Sequence, residues 1–386
     1  MEEEHYDESI DWDTHALELS RTLGTRVATE KVLGNMGRSF YKMGDFDRAS
    51  SLLTEAKDAS VQLGANKDEM LWLMNIGEIE YGQNLFPAAE RDFQQGLDLA
   101  RKLEIRTSIA TCLSNLAVVE LKEGRYDSAE QYNRNALDLE RQDGDRLRWL
   151  QSLIVSAYIA ANRNDFGAAE RALTLVIQKK NVDGYLTREA EAGFADVYEA
   201  KNEPAVAEVY FRKAMTAIET ARSSVRREEF RLSFWSGVVN FYDDYVDFLV
   251  SQRKTEKALQ VTEVSRARTL AEGLGFSSSS VRFPINNFNP RRTAESLGST
   301  ILSYWLGVDH SYLWVIAPER VEIFTLPPAA EIDPLVQSYR QALLGSRDVL
   351  ETQNAAGRKL YDLLVAPAAK MIPKGARVTI LPDGSL

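Results

Sequence analysis

Apolar positions along this chain recur at helical spacing within short blocks, and the blocks themselves recur about every forty residues. Each block centres on a short polar turn, then an aromatic or bulky apolar residue, then an alanine that opens a second helix. The turns read Gly44-Asp45-Phe46-Asp47-Arg48-Ala49, Asn84-Leu85-Phe86-Pro87-Ala88-Ala89 and Gly124-Arg125-Tyr126-Asp127-Ser128-Ala129. Asn164-Asp165-Phe166-Gly167-Ala168-Ala169 follows, and Asn202-Glu203-Pro204-Ala205-Val206-Ala207 repeats the pattern more loosely. A last, divergent copy is centred on Ala258. Small residues precede the alanines in register: Gly37 before Ala49, Gly77 before Ala89, Ala117 before Ala129, Ala157 before Ala169 and Ala195 before Ala207. Antiparallel helices cross closely only where side chains are small, so each block predicts a tight helix pair. Met36, Phe46, Leu53, Ile76, Phe86, Phe93, Leu116 and Tyr126 fall at helical spacing and would fill the space around each crossing. One pair cannot bury its apolar face alone, so the pairs are expected to stack into a right-handed α-solenoid.

This pattern resembles the tetratricopeptide repeat (TPR), in its longer version with extended helices, over roughly Leu33 to Gly275. Residues 13–24 read as the second helix of a repeat whose first helix is missing, so the chain is expected to begin inside an array. Phe234 to Leu274 reads as a more aromatic closing pair, with Trp235, Phe241, Tyr242, Tyr245 and Phe248. A terminal repeat is atypical because it caps the stack. The expected organisation is a solenoid of about six repeats over 1–275, a linker over 276–298 and a different fold over 299–386. Ser277 to Ser280 and Pro284 to Pro290 give the middle stretch its linker composition.

From Ser299 onward, Thr300–Leu306, Tyr312–Ile316 and Val321–Leu326 predict an antiparallel meander. Helices are expected near Glu331–Leu344 and Ala355–Lys370, then a buried-type strand at Arg377–Leu381. Placed after TPRs, this order resembles the opening half of the CHAT domain, a caspase-like fold of bacterial cysteine peptidases. The matching residues are Tyr304, Leu306-Gly307, Ser311-Tyr312-Leu313-Trp314-Val315-Ile316 and Leu326-Pro327. Leu360-Tyr361-Asp362-Leu363-Leu364, Pro367 and Leu381-Pro382-Asp383-Gly384-Ser385-Leu386 match further along. Phe230-Arg231 and Ser265-Arg266-Ala267-Arg268 also look like the unit preceding this domain. The resemblance implies that the catalytic histidine and cysteine lie beyond the Pro-Asp-Gly segment. The fold class expected is therefore mainly α, a TPR solenoid followed by a partial α/β, caspase-like domain.

Composition narrows the function. The acidic start, Met1-Glu2-Glu3-Glu4, is unlike a signal peptide, and the one cysteine excludes an internal disulfide, so a cytoplasmic protein is expected. No segment approaches the length of a membrane span, and a net charge of −11 argues against nucleic acid or an anionic membrane as main partner. Cys112 lies on the first helix of the third repeat and reads as a small apolar filler. His5, His15 and His310 have no local route to it, so no catalytic residue is assigned and this chain by itself is expected to be inactive. No metal ligand set and no phosphate-binding glycine loop is present, so no cofactor is expected. Asp243-Asp244 and Glu228-Glu229 read as solvated helix faces. Arg222, Arg226, Arg227 and Arg231 form a basic cluster suited to helix–helix salt bridges or to docking of the following domain.

One ladder points to binding. Asn35, Asn75 and Asn115 hold the same place in three consecutive repeats, each just before the apolar–small pair. By resemblance to long-period TPRs, such asparagines face the concave surface and bind the backbone of an extended peptide. An amide suits that task because it offers both a donor and an acceptor. Arg38, Tyr41, Lys42, Glu78 and Lys122 are the expected neighbours giving specificity. The competing reading is that the asparagines only bond between repeats and stiffen the stack. The partner expected is a protein or extended peptide, with possible contact to the rest of a CHAT domain. The function expected is the sensor portion of a caspase-like peptidase system. Two alternatives remain open: a fragment of an active peptidase whose catalytic half follows Leu386, or a non-catalytic adaptor.

Overall fold

A computed structural model describes residues 6–42, 45–179, 184–224, 239–273, 289–344 and 354–386, with side chains left aside at 6–8, 221–224 and 267–273. The chain divides into two compact units, Met1–Ser236 and Gly237–Leu386.

The first unit is a TPR-like solenoid of paired helices: α1 (Tyr6–Thr22), α2 (Arg26–Lys42), α3 (Phe46–Leu63), α4 (Asn66–Gly82), α5 (Phe86–Lys102) and α6 (Arg106–Lys122). It continues with α7 (Tyr126–Asp143), α8 (Arg146–Asn162), α9 (Phe166–Ile177), α10 (Gly184–Ala200) and α11 (Pro204–Ser224). The turns inside the pairs α4–α5, α6–α7, α8–α9 and α10–α11 each pass through one left-handed residue: Asn84 (φ 60°), Gly124 (φ 74°), Asn164 (φ 61°) and Asn202 (φ 59°). Glycine and asparagine adopt that conformation at the least steric cost, which explains why they recur there. Asp45 and Asp165 then cap the second helix by accepting from the backbone N–H of Arg48 and Ala168. At the crossings, Ala49, Ala89, Ala129, Ala169 and Ala207 are fully buried, and so are Ala117 and Ala195. A Cβ on Gly37 would come within 2.7 Å of Leu53, and one on Gly77 within 2.7 Å of Phe93. The small residues are thus required by the closeness of the helices.

The first helices α2, α4, α6, α8 and α10 also touch their counterparts in successive repeats. That closer spacing makes them the inner layer of the solenoid. Glu90 meets Arg125 at 2.6 Å, Glu130 and Asp127 both meet Arg163, and Glu170 meets Lys201 at 2.8 Å, so ion pairs recur at three successive repeat junctions.

The second unit contains α12 (Val239–Ser251), α13 (Thr255–Gly273), α14 (Pro290–Leu297), β1 (Thr300–Trp305), β2 (Ser311–Ile316) and β3 (Val321–Leu326). α15 (Ala329–Leu343), α16 (Ala355–Leu364), a 3-10 turn at Ala366–Met371 and β4 (Val378–Leu381) complete it. The α12–α13 turn carries Arg253 at φ 57°, five residues before Ala258, so this pair keeps the repeat register. The sheet order is β3-β2-β1-β4, antiparallel throughout except for the parallel β1–β4 pair. One face, with Leu302, Tyr304, Leu313 and Val315, packs on Ile332, Val336, Ala368 and Met371.

Two expectations need correction. The end of the stretch read as linker forms α14, because Asn289 caps its start, Pro290 suits its first turn and Gly298 (φ 57°) ends it. The helix expected over 355–370 stops at Leu364, and Pro367 sits in the 3-10 turn that follows. Ser277 to Ser280, His5, Glu228, Glu229 and the arginines 226, 227 and 231 lie outside the described residues, as does the side chain of Arg222.

Candidate functional site

The asparagine ladder lies on the inner layer, on α2, α4 and α6. It ends there, since the corresponding position of α8 is Val155. Asn35 is exposed, while Asn75 and Asn115 are half-buried. Asn75 donates through Nδ2 to the Leu71 carbonyl at 2.8 Å, one turn back on its own helix. Its Oδ1 and second N–H are left over from that bond. Asn115 lies beside Glu78 of the preceding repeat and helps hold its carboxyl down, yet its buried Nδ2 has no partner within hydrogen-bonding geometry.

Glu78 is the centre of this face. Burial raises its carboxyl above the usual range, and Lys42, Asn115, Arg38 and Arg148 counter that rise. The structure therefore brings Arg38, Lys42, Glu78 and Asn115 into one electrostatic neighbourhood. It adds Arg148 from α8, which also pairs with its own capping residue Asp145 at 3.1 Å. Tyr41 joins them, with Lys42 over its ring at 5.4 Å. Lys122 is exposed on α6, and neither it nor Asn35 is drawn into this group.

Three tyrosines belong to the same electrostatic neighbourhood. Burial pushes the Tyr41 and Tyr81 phenols up to about 12, and both feel the charge of Tyr185 on α10. Tyr185 is 50% exposed, yet burial raises its phenol too. Tyr185 of the fifth repeat thus lies within electrostatic reach of Tyr41 and Tyr81 of the first two. The Arg188 guanidinium stacks on Tyr185 at 4.7 Å and pairs with Glu189 at 2.8 Å.

Sequence reasoning missed Tyr81, Arg148, Tyr185, Arg188 and Glu189. Tyr81 was within reach, because it repeats Tyr41 forty residues later. The others lie on later repeats, and no repeat register reports their reach to the first two.

The remaining chemical groups lie elsewhere. Cys112 is fully buried, its thiol is pushed up to about 12 by that burial, and it packs beside Gly96. His310 pairs with Asp247 at 3.0 Å in the second unit. Asp244 is exposed as expected, but Asp243 is buried and accepts from Trp305 Nε1 at 2.7 Å, which corrects its reading as part of a solvated face. Among the described residues, no three His, Cys, Asp or Glu side chains are placed to hold a metal, and no helix is long and apolar enough to cross a membrane.

A family model for the MalT-like TPR region matches residues 4–228. Among solved structures, the apo form of RapI aligns with a TM-score of 0.52 at 11% identity, covering 69% of this chain and 99% of that one. A Rap protein complexed with competence and sporulation factor aligns at a TM-score of 0.49 and 14% identity, covering 69% and 70%. BtubC from P. vanneervenii aligns at 0.46 and 19% identity, covering 58% and 94%. The RapI likeness speaks to the fold alone. A comparison with curated proteins finds no match.

Proposed function

The chain belongs to the family of MalT-like TPR regions over residues 4–228, and on that premise we propose that its first unit recognises an extended peptide on the inner face of the solenoid. The observation carrying this reading is Tyr185, half-exposed and within electrostatic reach of Tyr41 and Tyr81 from other repeats. An inner face lined by phenols, amides and charged groups suits a main chain that needs donors and acceptors along its length. Asn75 and Asn115 supply amides toward the backbone, while Arg38, Tyr41, Lys42 and Glu78 contact side chains. Asn35 and Lys122 extend the same face at its rim.

Each amide contributes only ~0.5–1.5 kcal/mol net, so the asparagines set register while other contacts supply most of the affinity. The test is Asn75→Ala, with binding to peptides selected from a displayed random library and thermal stability measured side by side. Affinity is expected to fall several-fold with little change in melting temperature. A large stability loss with unchanged binding would make the asparagine purely structural.

For the second unit we propose the opening part of a CHAT domain, so that the chain is the sensor portion of a caspase-like peptidase system. Support comes from the order of elements: a meander, two helices, then a strand parallel to β1, with Asp383 accepting from the Leu306 N–H at 2.8 Å. Intact mass of the native product, read with its coding sequence, tests this. A downstream histidine and cysteine would support a peptidase, and their absence would leave recognition as the activity.

A further inference from the structure

Core positions that are apolar or small in the other repeats turn polar at one junction of the solenoid, between the third repeat (α6, α7) and the fourth (α8, α9). Asn133 on α7 holds the register position of Leu53, Phe93 and Leu173, all three buried at their crossings. Glu140 stands in register with Ser60 and Ala100, Ser152 with Trp72 and Cys112, and Ser156 with Met36, Ile76 and Leu116. These polar groups bond to one another. Glu140 Oε1 accepts from Ser114 at 3.0 Å and from Ser152 at 3.1 Å. Asn133 Nδ2 donates to Ser156 Oγ at 2.7 Å and to the Ser152 carbonyl at 3.0 Å. Glu140, Asn133 and Ser152 are 2%, 3% and 1% exposed, so the group is a layer of the core and not a solvated face. Burial raises the Glu140 carboxyl above its ordinary range, and its bonds from Ser152 and Ser114 oppose that rise.

The apolar core changes hands at the same place. Helix α4 joins two apolar clusters, giving Trp72 and Ile76 to one and Met70 and Met74 to the next. That second cluster ends at Ala136 and the third begins at Leu150, and neither α7 nor α8 gives a buried member to both. From α7, the partly buried Leu137 alone packs on the third cluster. Within the polar layer, Glu140 Oε2 and Asn133 Oδ1 are buried without a partner among the described residues. Parting two apolar surfaces exposes them to water at a cost. When this layer parts, its bonded groups exchange one partner for water, and its two unmatched oxygens gain one. Of the repeat junctions, this one therefore opens with the least loss.

We propose that Ser114, Asn133, Glu140, Ser152 and Ser156 form a conformational joint, at which the solenoid bends between two stiffer blocks, α1–α7 and α8–α11. Bending there changes the separation of the early repeats from the fifth and leaves each helix pair intact. The buried crossings of the third and fourth repeats, Ala117 with Ala129 and Ala157 with Ala169, lie inside the blocks on either side.

The test measures bending in the full chain with pairs of spin labels at exposed positions of one register. Arg91→Cys with Arg171→Cys spans the joint, and Ser51→Cys with Gln131→Cys spans the same number of repeats inside the first block. Cys112 is fully buried, which leaves the labelling to the added cysteines. The distance distribution across the joint is expected to be roughly twice as wide as that within the block. Refilling the layer with residues its register holds elsewhere, in the triple variant Asn133→Leu/Glu140→Ala/Ser156→Leu, is expected to narrow the first distribution to the width of the second. Equal widths in the chain with its polar layer intact would overturn the joint, and that comparison stands even where the triple variant fails to fold. A triple variant that folds and keeps the broad distribution would overturn it too, because the bending would then arise elsewhere.

Discussion

The two units are held together by contacts of different range. In the solenoid, each helix packs on its sequence neighbours, and the first helices also pack on their counterparts one repeat away. Its defining contacts are small residues at crossings and apolar fillers beside them, so every repeat solves the same local problem. The second unit relies on polar contacts between distant parts of the chain. Arg266 donates to Ser303 Oγ at 2.9 Å and to the Tyr304 carbonyl, and pairs with Glu263 at 2.7 Å. Trp305 donates to Asp243 across 62 residues, Leu306 to Asp383 across 77, and Ser299 meets Thr379 across 80. A repeat array distributes its stability, while such a network concentrates it in a few buried groups.

The sharpest way to break this contrast is Arg266→Ala. It removes the cation paired with Glu263, which keeps only the Ser303 hydroxyl, and takes the guanidinium from the Tyr304 carbonyl in a mostly buried place; truncating one member of such a pair costs ~3–5 kcal/mol. Chemical unfolding should show the second unit lost early while the solenoid's helical signal persists. Concerted loss of both would mean that the two units do not unfold independently.

A second test is pH. Burial raises the Asp243 carboxyl to about 7, against an ordinary value below 4. Between those values the folded unit keeps a proton that the unfolded chain has released, so stability is greatest at low pH and falls as pH rises through 7. The expected loss between pH 5 and pH 8 is on the order of 2–4 kcal/mol, read by urea unfolding, and Asp243→Asn should flatten the slope. An unchanged slope in the variant would assign the effect to other groups.

The smallest effect is expected in the solenoid. A Cβ on Gly34 would lie 2.3 Å from the buried Trp72 ring, so Gly34→Ala should cost ~1–3 kcal/mol. Hydrogen exchange should place that loss in the first two repeats and leave α8 to α10 protected. Uniform loss along the array would contradict the nearest-neighbour picture.

The repeat region was legible because its contacts are short in sequence and recur. Gly37, Gly77 and the alanines at 89 and 129 each mark a crossing, and the left-handed turn residues mark where each helix reverses. Even the divergent pair at Ala258 kept its register through Arg253. The strands of the second unit could be read from their β-branched and aromatic runs, and the short helix at Pro290–Leu297 was hidden inside linker-like composition. Buried charges were not legible: Glu30, Glu140 and Asp243 look like surface residues in the sequence, yet all three are buried and hydrogen-bonded. Their partners lie too far along the chain to be inferred from local pattern.

The sequence by itself therefore determined the period, the helix pairs, the solenoid and the position of the asparagine ladder, since each follows from side-chain size and spacing within forty residues. Tertiary structure alone decided that Tyr185 comes within electrostatic reach of Tyr41 and Tyr81, that Arg148 does so for Glu78, and that Arg266 joins helix to sheet. The reason is physical. Helix pairing is fixed by nearby residues, whereas curvature accumulates small rotations over several repeats and brings together side chains whose separation in sequence carries no periodic signal.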